Sequence, residues 1–103
     1  MGGERRAHSR RRRYFDCSWV GQWGSTKSRI SDLSVSGCYI ESRFTAPAVG
    51  EEVSNITIPL GAESPLVLHG TVVRATRGIG FAVRFTDVDA EMRHRLEGAL
   101  ASR

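Results

Sequence analysis

Two short stretches of this chain hold the residue types that do chemistry. In "ERRAHSR", Arg6 and Arg10 are spaced R-x-x-x-R with Arg5 just ahead of them. In "ISDLSVSGCYIES", Asp32, Ser34 and Gly37 are spaced D-x-S-x-x-G and interrupt an apolar series of Ile30, Leu33, Val35, Cys38 and Ile40. A guanidinium forks onto phosphate oxygens and also lies flat over an aromatic ring, whereas a lysine does only the first. Six arginines among the first thirteen residues, Arg5, Arg6 and Arg10 to Arg13, face only Glu4. That end therefore calls for an anion. Each stretch also has a plainer reading. Most charge runs are solvated, and Asp, Ser and Gly are the residues that turns recruit.

No catalytic pattern competes with this binding chemistry. There is no G-x-S-x-G elbow, no H-E-x-x-H, no phosphate-cradling P-loop and no close carboxylate pair. The expectation is a protein that is not an enzyme. Cys17 and Cys38 are too few for a disulfide framework and lack the spacing with histidine that marks zinc, so both are expected as buried, reduced thiols with no metal or cofactor. His69 and His94 show no sign of a ligand role, and His8, which lies inside the arginine run where phosphate could be approached, reads as an exposed variable position.

With 103 residues and 40% hydrophobic content, the chain suits one domain with one core. The formal charge is +4 and the pI about 9.8. No apolar run approaches the roughly 20 residues that cross a bilayer, no secretory signal opens the chain, and Arg6 stands where a myristoylation signal wants Ser or Thr. A cytoplasmic protein without membrane insertion is expected.

The elements that must position these residues read as follows. Residues 1–12 hold almost no apolar side chain and are expected as a flexible arm, with 13–103 forming the domain. Arg13 to Gly24 reads as one half-buried strand, with Phe15, Cys17, Trp19 and Trp23 on its inner side. Strands over Lys27 to Leu33 and Gly37 to Ser42 are expected to pair as a tight hairpin across Ser34 to Ser36. "EVSNITIPL" reads as a fourth strand, at an edge because Pro59 has no amide hydrogen. "PLVLHGTVVRAT" and "GIGFAVRF" read as a last pair joined near Arg77 and Gly78, with Ile79, Phe81, Val83 and Phe85 pointing inward. Six short strands with regular turns predict a mainly β fold, a six-stranded antiparallel barrel. Val88, Met92, Leu96 and Leu100 then recur every fourth residue, which predicts a C-terminal helix over about 87–101, capped from Thr86 and Asp89.

The two motifs, in this order and within this framework, resemble those of the PilZ domain family. The resemblance covers nearly the whole chain, including the late G-x-G strand and the closing helix. It implies a receptor for cyclic di-GMP, a bacterial second messenger, in which an arginine arm wraps the ligand against the barrel and D-x-S-x-x-G faces its guanine. Carried over, the ligand-binding residues are Arg6, Arg10, Asp32, Ser34 and Gly37, with Arg5 added. An arginine directly before R-x-x-x-R is associated in this family with an intercalated dimer of the nucleotide. The chemistry agrees: guanine offers N–H donors that Asp32 accepts, its O6 and N7 suit arginine, and Ser34 adds a hydroxyl contact. Gly37 removes a side chain where the backbone turns or nears the ligand, and is a candidate for positive φ.

On this reading the arm closes over the ligand and changes a surface for a downstream protein partner or for self-association. The alternative is a PilZ-fold protein-interaction adaptor that works without nucleotide, which intact motifs disfavour. A barrel binding DNA or RNA through its basic arm is disfavoured because Asp32 repels a phosphate backbone. The sequence does not choose whether Arg11, Arg12, Arg13, Tyr39 or Trp23 contact ligand, nor which partner receives the signal.

Overall fold

The computed structural model describes residues 14–43 and 45–101. Six antiparallel strands close into a barrel: β1 (Phe15–Gly21), β2 (Gly24–Leu33), β3 (Gly37–Glu41), β4 (Glu52–Leu60), β5 (Glu63–Thr76) and β6 (Gly80–Thr86), in the spatial order β1-β2-β3-β6-β5-β4. A helix, α1 (Ala90–Ala101), follows. The arm expected over residues 1–12 lies outside the described residues.

Alternation along each strand builds the core. Phe15, Cys17 and Trp19 from β1 meet Ile30, Ile40, Ile58 and Phe81 from the other strands. Trp19 is fully buried, stands edge-on to Phe81 with centroids 5.0 Å apart, and donates its indole N–H to Ser28 Oγ at 3.0 Å. That bond satisfies the one polar group that so deep a tryptophan brings with it.

Local chemistry moves several expected boundaries. The strand expected over Arg13 to Gly24 folds back on itself, because Gln22 and Trp23 form a turn and Gly21 pairs with Gly24. Trp23 therefore sits on a hairpin tip, 60% exposed, and is not in the core. Ile79 is likewise outside the barrel, 58% exposed in the β5–β6 turn, where its amide donates to Thr76 and its carbonyl accepts from Ser42. Pro59 does not mark an edge, since the barrel closes. It lies exposed where the β4–β5 register shifts between Ile58 and Leu60, a place that tolerates a missing donor.

The helix is held by Leu96, fully buried, with Val88, Met92 and Ala99 packed beside it, while Arg95 donates to the Ser64 carbonyl. Its cap is Asp89 and not Thr86: Asp89 Oδ1 accepts from the Met92 amide at 2.8 Å. An N-cap carboxylate satisfies an amide that has no partner within the helix. Asp89→Ala is expected to cost about 1 kcal/mol in urea denaturation, and Asp89→Asn, which keeps the acceptor, far less.

Cys17 and Cys38 are free and buried, as expected. Burial, with the Asp16 charge adding, pushes the Cys17 thiol up from 9.0 to about 12. The Cys38 thiol rises too, first by burial and then by the Cys17 and Asp32 charges. Both are neutral in the folded state when the unfolded chain begins to lose its thiol protons. Unfolding thus releases protons at high pH, so stability is complete below about pH 9 and falls as the pH climbs toward about 12. Urea midpoints at pH 7.5 and 10 should separate for the natural chain more than for a Cys17→Ala, Cys38→Ala variant.

Candidate ligand site at the β2–β3 hairpin

The D-x-S-x-x-G residues occupy the end of β2, the turn after it and the start of β3. Asp32 stands opposite Tyr39, just past a register shift between Ile30 and Asp32. The shift takes up an extra residue, which lets Asp32 face outward while Leu33 packs against the core. Asp32 is exposed, and among the described residues no cation pairs with it. It is a carboxylate with free acceptor capacity.

Ser34 builds the turn. Its amide donates to the Gly37 carbonyl at 2.9 Å, and its hydroxyl accepts from the amides of Ser36 and Gly37 at 3.2 and 3.3 Å. The same oxygen lies 3.2 Å from Ser36 Oγ and 3.3 Å from the Gly37 carbonyl. The turn reading of this serine is therefore real. Its hydroxyl is also exposed, so shaping the turn and facing solvent go together.

Gly37 is required by a close approach of strands, not by positive φ, which it does not have. A Cβ there would lie 2.2 Å from the Val83 carbonyl oxygen on β6. The glycine so draws β6 tightly against the motif, and the Phe85 amide donates to the Ser36 carbonyl at 2.9 Å. The row outside the barrel runs from Asp32 to Tyr39, Ala82 and Arg74 across four strands. The Tyr39 ring lies over Gly80, where a Cβ would come 2.8 Å from it. Tyr39 is thus half-buried beside Asp32, while Trp23 is on a hairpin tip of its own.

Arg5, Arg6 and Arg10, like Arg11 to Arg13, fall outside the described residues. The described chain begins beside the motif, however. Phe15 pairs with Ile30, so β1 starts next to the end of β2 that carries Asp32. Tyr14 is fastened there: the Arg29 guanidinium lies 4.2 Å from its ring centroid and donates from Nε and Nη2 to Glu41 Oε1 at 3.3 and 3.0 Å. Among the described residues no cluster of histidine, cysteine and carboxylates is placed to hold a metal, and no helix is long and apolar enough to cross a membrane.

Comparison with known proteins agrees with this architecture. A crystal structure of the PilZ domain of CeSA from a cellulose-synthesizing bacterium superposes with a TM-score of 0.68 at 18% identity, over 90% of this chain and 97% of that one. At that identity the likeness concerns the fold. No curated protein sequence matches the chain. The sequence model of the PilZ domain matches residues 4–102, a span that takes in both motifs, all six strands and the helix. The chain belongs to the PilZ domain family, a family of cyclic di-GMP receptors whose domains bind and adapt rather than catalyse.

Proposed function

We infer that this protein is a cyclic di-GMP receptor whose N-terminal arginine arm closes over ligand seated at the β2–β3 hairpin. The observation that carries this reading is the position of Tyr14, fastened on Arg29 at the Asp32 end of β2. Arg10 is four residues upstream of Tyr14 and Arg6 eight, so an extended chain allows them about 14 and 29 Å of reach. Both can meet a ligand at Asp32 and Ser34 without moving the barrel.

Each group then has a role. Arg6 and Arg10 fork onto phosphate oxygens or stack on guanine, Asp32 accepts from the guanine N–H edge, and Ser34 holds the turn and offers a hydroxyl. Gly37 keeps the turn against β6. Arg5 supplies a third guanidinium for a second nucleotide in an intercalated pair. Ordering the arm costs entropy, so affinity is lower than the contacts alone would give, and the ordered arm presents a different surface to a protein partner or a second copy. This is signalling without catalysis, in the cytoplasm, where the messenger is made and read.

Titration calorimetry with cyclic di-GMP tests the reading. Saturable binding near two nucleotides per chain supports the intercalated pair; one per chain removes the role given to Arg5. No heat, together with unmoved NMR spectra at excess nucleotide, would reject the receptor reading in favour of an adaptor that works without nucleotide.

A further inference from the structure

Arg84 stands on β6, a strand that neither motif includes. Phe81, Val83 and Phe85 enter the core, which leaves Arg84 on the outer face. Its pairing partners are Gly37 on β3 and Thr71 on β5. One has no side chain and the other a short one, so neither directly opposed position sets a long side chain against the guanidinium. The bond from the Phe85 amide to the Ser36 carbonyl fixes this part of β6 against the motif turn.

Among the described residues, part of the positive charge on this face has no carboxylate partner. Arg29, on the β2 side, is bonded to Glu41. Arg84 has no carboxylate partner among the described residues, and neither has Arg74, which sits opposite Ala82 on β5. Arg74 lies diagonal to Arg84 across the β5–β6 pair, just past the register shift between Val72 and Arg74, so two cations share this part of the outer face. An anion above them is attracted by both.

We propose that Arg84 is a phosphate-binding residue of the barrel itself, with Arg74 reinforcing the field behind it. The proposal rests on the receptor reading and adds a second side to the site. β2 and β6 lie two strand spacings apart, about 10 Å, so a guanine held at Asp32 leaves a phosphodiester of the same ligand near Arg84. Arg84 is carried on a closed barrel, so only its side chain is ordered on binding.

Calorimetry with cyclic di-GMP on the full chain, repeated at low and high salt, tests this. Arg84→Ala should weaken binding by about tenfold to a hundredfold with an unchanged thermal midpoint, since the residue is exposed. Arg84→Lys should recover part of the loss, and Arg74→Ala should cost a few-fold that disappears at high salt. Wild-type affinity in Arg84→Ala would overturn the proposal while leaving the receptor reading intact; absence of binding by the natural chain would reject both. As a measurement needing no variant, the Arg84 Nε–H signal of the labelled natural protein should shift on adding nucleotide, and a signal that stays in place while others move would also overturn it.

Discussion

Gly37→Ala is expected to lower the thermal midpoint of this protein by about 12–24 °C before it says anything about ligand. The added Cβ would stand 2.2 Å from the Val83 carbonyl oxygen, which is backbone and cannot rotate away. Relief requires β3 and β6 to part, and that stretches the Gly37–Arg84 and Cys38–Val83 pairings together with the Phe85 to Ser36 bond. Overpacking at a site that cannot yield costs about 3 kcal/mol, and each kcal/mol shifts the midpoint of a domain this size by about 4–8 °C. Thermal denaturation followed by far-UV circular dichroism measures it. A midpoint within 3 °C of the natural chain would show that the two strands separate freely, and the structural account of this glycine would be wrong. Loss of nucleotide binding in a Gly37 variant therefore cannot be assigned to a lost ligand contact.

Arg6→Ala and Arg10→Ala should behave in the opposite way, abolishing most binding while leaving the barrel intact. Each removes a charge-assisted contact of about 1.5–3 kcal/mol, which is roughly tenfold to over a hundredfold in affinity. The described strands and core are complete without either residue, so the thermal midpoint should be that of the natural chain. Arg6→Lys keeps the charge and loses the fork and the flat cation, so an intermediate loss is expected. Unchanged calorimetric affinity in both alanine variants would remove the arm from the site and, with it, the proposed closure. If both results hold, the motif glycine acts through the fold and the motif arginines through the ligand.

How far the sequence alone carried depended on whether a signal was local. Period-two alternation in "FDCSW" and "FAVRF" placed Phe15, Cys17, Trp19, Phe81, Val83 and Phe85 in the core, because neighbouring side chains on a strand must point to opposite faces. The fourfold spacing of Val88, Met92 and Leu96 marked the helix for the same kind of reason. Ser34 to Ser36 was legible as a hairpin link, since turn residues act within a few positions of each other. The order of the two motifs sufficed to indicate the family.

Other features were decided by partners far away in the chain. Trp23 and Ile79 continue an apolar alternation yet lie outside the barrel, because the strands end at turns one or two residues before alternation would bring them in. Pro59 suggested an edge, but closure between β1 and β4 depends on six strands meeting at once, which no single segment encodes. The setting of Arg84 beside Gly37 was likewise invisible, since the two are 47 residues apart and only the β3–β6 register brings them together. Residue types and spacings within a strand or turn were thus enough to name the elements and the family; which residues face one another across the barrel was settled by closure, because pairing between strands is a contact of whole segments and carries no short-range mark.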